Sequence, residues 1–124
     1  NNLGLVLNNL RRFDEALKYF RQAITINPKL STLNMGNSFK GLSRYREAVE
    51  AYKNAIAINP KDDIAYYNLG ILLLKLGDAY GATVNLNKFF YLADKSKDIE
   101  FIKLARVALD EARTIIKLNM SKPF

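Results

Sequence analysis

The chain has 124 residues, 49% of them hydrophobic and 25% charged, with a formal net charge of +7, no cysteine and no histidine. That length holds one ordinary globular core or about three helical repeats. The two absent residue types exclude disulfides, thiolate chemistry and an imidazole base or metal ligand. The cations are scattered, with only Arg11-Arg12 and Lys95-Ser96-Lys97 as local clusters. A solvated face accounts for such a spread, and an acidic partner or an anionic membrane surface is the alternative. No apolar run reaches the length of a membrane span, since Ile71-Leu72-Leu73-Leu74 stops at Lys75. The chain opens Asn1-Asn2-Leu3-Gly4, without Met and in mid-helix, so it reads as a fragment. Nothing fixes a compartment, with the cytoplasm slightly favoured.

Helical periodicity runs from end to end. Leu3, Leu7 and Leu10 give the remnant of a first helix. Asp14-Glu15 open a second, where the helix dipole favours acids, and it carries Leu17, Phe20, Ala23 and Ile24 to a stop at Asn27-Pro28. Ser31 or Thr32 is the expected cap of a third helix carrying Met35, Phe39 and Leu42. A fourth runs from Tyr45 to Ile58 and stops at Asn59-Pro60. Asp62 or Asp63 caps a fifth with Ile64, Tyr67, Leu69, Leu72 and Leu76, closed by Gly77. Ala79 to Ala93 is a sixth, Lys95-Ser96-Lys97 a linker, and Asp98 caps a last helix to about Leu118. No segment alternates long enough for a strand.

Two stretches are nearly the same text: Phe13 to Pro28 aligns with Tyr45 to Pro60. In each, a Gly is followed by an Ala twelve residues on, an aromatic four later, an Ala three later and a Pro five later. Gly4, Ala16, Phe20, Ala23 and Pro28 satisfy this, and Gly36, Ala48, Tyr52, Ala55 and Pro60 satisfy it again. Leu3 and Met35 precede the glycines. A third, degenerate copy has Leu69-Gly70, Ala82 and Leu86. The small residues sit where paired helices approach closely, and the aromatics fill the gap between units. This pattern resembles the tetratricopeptide repeat, a helix-turn-helix unit of about 34 residues.

The resemblance implies an all-α fold of about seven helices, a right-handed α-α superhelix of helical hairpins. It covers residues 1–94 as three units, 1–28, 29–60 and 61–94, with 98–118 as a capping helix in a single domain. Two departures stand out. In the third unit Phe89 replaces the small Ala and Asp94 the Pro. That much extra volume argues against another ordinary repeat following. The last helix has one apolar face in Ile102, Ala105, Leu109, Ala112 and Ile116, and a second stripe in Phe101, Leu104, Ala108 and Ile115. The second departure is spacing: Pro60 to Gly70 spans ten residues but Pro28 to Gly36 only eight. A real shortening is expected to trim the start of the third helix; the alternative is that two residues are absent from the sequence.

In the family the first helix of each unit lines a concave groove. By resemblance the groove positions are Asn1, Asn2, Leu5, Asn8 and Asn9, then Leu33, Asn34, Asn37, Lys40 and Gly41, then Tyr67, Asn68, Ile71, Leu74 and Lys75. Asn stands two before every glycine, as Asn2, Asn34 and Asn68. A side-chain amide both donates and accepts, so such a ladder can pair with the backbone of an extended peptide. Helix packing is the competing explanation. Tyr67, Leu33, Leu5 and Ile71 add apolar specificity, and Lys40 and Lys75 either attract an acidic ligand or form a solvated rim. The family's two-carboxylate clamp for chaperone tails needs cations at Asn1, Ile64 and Asn68 and an Asn at Leu5 and Asn34; only Asn34 matches, which disfavours that ligand.

No Gly-rich phosphate loop, metal set, cofactor motif or paired-carboxylate arrangement stands out. Asp62-Asp63 reads as a cap, and Asp110-Glu111 as helix surface. Arg44-Tyr45-Arg46 interleaves cation and aromatic, but Tyr45 holds the place of Phe13, so nucleic acid is not expected. The reading is a non-enzymatic adaptor for a protein or peptide partner, without cofactor, metal or catalytic residues. Self-association through the last helix or the first unit is the alternative, and a docking region of a longer enzyme is a third.

Overall fold

The computed structural model describes residues 2–121. They form α1 (Asn2–Asn9), α2 (Phe13–Ala23), α3 (Pro28–Gly41), α4 (Tyr45–Ile58), α5 (Asp63–Lys75), α6 (Ala79–Leu92) and α7 (Ile99–Ser121). No strand occurs among the described residues. Two compact units divide after Pro60, α1 to α4 in the first and α5 to α7 in the second.

The repeated text becomes repeated packing. Each hairpin closes where a glycine of its first helix meets a large side chain of its second. A Cβ on Gly4 would stand 2.6–2.9 Å from the Phe20 ring, and one on Gly70 would stand 2.8 Å from Leu86 Cγ. Gly36 meets the Tyr52 ring in the same way. Phe20, Tyr52 and Leu86 are fully buried, as are Ala16, Ala48 and Ala82. Burying such a large side chain contributes about 1.5–3 kcal/mol.

The turn inside each hairpin is also one motif used three times. Arg11 (φ 61°), Ser43 (φ 60°) and Gly77 (φ 90°) hold left-handed backbone at equivalent positions. In each copy the residue after it reaches back into the first helix, as Arg12 N to Leu7 O (2.8 Å), Arg44 N to Phe39 O (2.8 Å) and Asp78 N to Leu73 O (2.9 Å). Only the third copy uses glycine, the residue for which this conformation is free of strain.

The short spacing is absorbed differently from the sequence expectation. α3 is not trimmed; it begins at Pro28, and its cap is Asn27, whose Oδ1 accepts from Leu30 N at 3.2 Å. Ser31 and Thr32 lie inside the helix and are buried, Thr32 Oγ1 bonding back to Pro28 O. The residue that gives way is in α2, which has 11 residues against 14 in α4. Its chain turns at Ala23, whose carbonyl accepts from both Ile26 N and Asn27 N at 3.0 Å. Pro28 therefore starts a helix rather than ending one. Proline lacks the N–H that the first helical position does not use, so Asn-Pro serves as cap and first residue.

In the second unit Phe89 is fully buried with Ala82, Leu86, Ala105, Ala108, Leu109 and Ala112. The added volume of Phe89 is matched by small residues on α7, three alanines along its buried face. Phe101, from the second stripe, sets its ring edge-on to Tyr67 at 4.9 Å, and Ala108 is buried, whereas Leu104 stays exposed.

Candidate peptide-binding face

In the first unit the polar face lies where α1 meets α3. Asn8 Nδ2 donates to Asn34 O at 3.4 Å, and Ser38 Oγ lies 2.6 Å from Asn8 Oδ1 and 3.2 Å from Asn34 O. These contacts join α1 to α3 through the side chains of Asn8 and Ser38. Asn34 is only 5% exposed, and its Nδ2 has no hydrogen-bond partner among the described residues. A buried donor without an acceptor costs about 1–3 kcal/mol.

Asn37 stands one turn further along α3. The Tyr52 hydroxyl donates to its Oδ1, which ties this candidate to the ring that packs on Gly36. Burial holds the Tyr52 phenol above its usual range, so it remains a donor. Leu5 is half-buried against the Leu7, Ala16 and Phe20 core, Leu33 is buried and Lys40 is exposed. Asn1 and the side chain of Asn2 lie outside the described residues.

In the second unit Tyr67 is half-buried between Phe89 (5.5 Å) and Phe101 (4.9 Å), and that burial raises its phenol. Ile71 and Leu74 also pack partly on this core. Asn68 is half-buried and Lys75 exposed. Tyr67, Ile71 and Leu74 of α5 thus share their side chains with the packing of α6 and α7.

Two features were not read from the sequence. Asp63 and Asp98, from the starts of α5 and α7, come together: burial, a hydrogen bond to Asp98 and its charge push Asp63 up to about 6. The second is a hollow of about 630 Å³ lined by Ile24, Met35, Phe39, Ala51 and Ile58, beside the early end of α2. No group of three or more Asp, Glu, His or Cys able to hold a metal occurs among the described residues. No helix among them is long and apolar enough to cross a membrane.

Family models agree with the repeated geometry. A model described as tetratricopeptide repeat matches residues 1–30, and one described as TPR repeat matches residues 36–77. The chain is a tetratricopeptide repeat protein. The two matches break between residues 30 and 36, where the tetratricopeptide spacing is short. No curated protein sequence matches the chain significantly. Among solved structures, the type III secretion chaperone SycD of Yersinia enterocolitica, in complex with a peptide of the translocator YopD, superposes with a TM-score of 0.85 at 17% identity, covering 91% of this chain and 88% of that one. PcrH of Pseudomonas aeruginosa gives 0.81 at 19% identity, covering 90% and 87%. The Sgt2 TPR domain of Aspergillus fumigatus gives 0.79 at 19% identity, covering 99% and 82%. At such identities the likeness is one of fold.

Proposed function

We propose that this chain is a non-enzymatic protein-interaction adaptor that takes an extended peptide or a partner helix on its repeat faces. In the first unit Leu5, Leu33, Asn34, Asn37 and Lys40, with Asn2 before them, make the contacts. In the second unit the same role falls to Tyr67, Asn68, Ile71 and Lys75. The observation that carries the reading is the Asn34 amide, a donor held at the α1–α3 seam without an acceptor among the described residues. A peptide carbonyl would remove that cost where the α1–α3 seam opens to admit it, since the amide nitrogen is buried in the free chain, and Asn68 is its repeat equivalent. SycD holds a peptide of a translocator, and PcrH has been solved with the chaperone binding region of PopD; the shared fold makes a peptide ligand reasonable here too. Lys40 and Lys75 favour an acidic one.

A fluorescence-anisotropy screen of labelled acidic peptides tests this. Affinity on the order of micromolar is expected, because few polar anchors are available. It should not change when the peptide C-terminus is amidated, since the cations of a carboxylate clamp are missing. Binding that vanishes on amidation, or no binding to any acidic peptide, contradicts the proposal.

A further inference from the structure

Where α6 gives way to α7 the chain leaves a hollow of about 360 Å³, a size typical of small-ligand sites. Its floor is apolar, built on Phe90, Ile99 and Ile102, and its mouth is basic, with Lys95, Lys103 and Arg106. Helical spacing explains the grouping. Ile99, Ile102, Lys103 and Arg106 recur every one to three residues on one side of α7, next to the face that buries Ala105, Ala108, Leu109 and Ala112. The Arg106 guanidinium lies over the Phe90 ring, 5.7 Å from its centre, which sets a charge against the apolar floor. Every wall comes from residues 90–106, inside the sequence, so the hollow is formed without either chain end.

The charge at the mouth has one sign. Lys95, Lys103 and Arg106 form no ion pair among the described residues, and no acid lines the hollow. The acids near it are engaged or directed elsewhere. Asp94 accepts from Ser96 N at 3.0 Å and Ser96 Oγ at 2.7 Å. Asp98 accepts from Asp94 N at 3.0 Å and meets Asp63 of α5. Glu100 lies about 100° round the helix from Ile99, and Asp110 stands between Arg106 and Arg113 in the next hollow along α7. The other nearby charges are cations, Lys97 in the linker and Lys88, whose ammonium lies over Tyr91. An apolar floor under three unmatched cations fits a molecule with a hydrocarbon body and one negative head. A peptide fits less well, because a hollow of this size admits one side chain, and acidic side chains carry little apolar surface.

We propose that this hollow binds a small apolar carboxylate, its hydrocarbon body on Phe90, Ile99 and Ile102 and its head among Lys95, Lys103 and Arg106. The planar guanidinium fork of Arg106 matches a carboxylate, and the two lysines add charge. None of these residues belongs to the proposed peptide face, so either reading can fail without the other.

Titration of decanoate into the 124-residue chain, followed by the methyl NMR signals of its isoleucines, tests it. Ile99 and Ile102 should shift together and saturate, while Ile24 and Ile58, in the hollow of the first unit, should not move. Hexanoate should bind at least about tenfold more weakly, because it buries four fewer methylenes. Decyltrimethylammonium, with the same ten-carbon chain and the opposite charge, should leave Ile99 and Ile102 unshifted. Lys103→Gln combined with Arg106→Gln should weaken decanoate by about three- to tenfold, the range expected for two exposed charges. If that variant loses helical circular dichroism, Lys95→Gln with Lys103→Gln replaces it and leaves Arg106 on Phe90. No binding of decanoate, equal shifts in both hollows, equal binding of hexanoate or of the ammonium, or undiminished binding by the doubly substituted chain overturns the proposal.

Discussion

Tyr52 joins the core to the candidate face, and its ring and its hydroxyl can be separated. The ring is fully buried against Gly36, and the hydroxyl donates to Asn37 Oδ1. Tyr52→Ala removes the ring and leaves a cavity, at a cost of about 3–5 kcal/mol. Tyr52→Phe removes one hydrogen bond, worth about 0.5–1.5 kcal/mol. The lower end applies, since Asn37 is half-exposed and water can replace the lost donor. The first unit already shows that a bare ring fits, because Phe20 stands against Gly4 in the same relation. Urea unfolding followed by circular dichroism measures both. Against a typical domain stability of about 5–15 kcal/mol, the Ala variant loses a large share and the Phe variant little. If Tyr52→Phe proves as costly as Tyr52→Ala, the reasoning that the ring carries the packing is wrong.

Ser43→Gly should raise the melting temperature, stabilising by about 0.5–1 kcal/mol, because Ser43 holds a left-handed φ that Gly77 meets without strain; a lower melt would show that this turn is unstrained. Asn27→Ala should cost about 1 kcal/mol and speed amide exchange in the first turn of α3, since Asn27 is its cap; unchanged exchange would return the start of α3 to Ser31. Asp63 has a folded pKa of about 6, above its ordinary value of 3.8. Its contribution is therefore fully present below the unfolded value and is lost as pH rises through about 6. Asp63→Asn should flatten the fall in melting temperature between mildly acidic and neutral pH, and an unaltered profile would remove Asp63 as its cause.

Much of the fold could be read in advance because the repeat ties small residues to large ones at fixed spacing, as Gly4 to Phe20 and Gly36 to Tyr52. The start of α3 could not, because Asn-Pro fits a helix end and a helix start equally well. Which one prevails depends on the length of chain to the next glycine. After Pro60 two more residues are available, and α5 waits until Asp63; after Pro28 they are missing, and the helix begins at once. Long-range pairs were hidden for another reason. Asp63 meets Asp98, and Tyr67 meets Phe101, only because α7 lies along α5, and no local periodicity encodes that. The burial of Asn34 was equally invisible, since spacing places a residue on a face without saying what covers it.

The central claim is that Asn34 and Asn68 hold a peptide backbone. Isothermal titration of the best acidic peptide into the parent, Asn34→Ala and Asn68→Ala measures it directly. One hydrogen bond of about 0.5–1.5 kcal/mol corresponds to a loss of affinity of up to about tenfold in each variant. Asn34→Ala should also melt no lower than the parent, because it removes a buried donor that has no partner among the described residues. Affinity unchanged in both variants would contradict the claim and leave the two asparagines as packing residues.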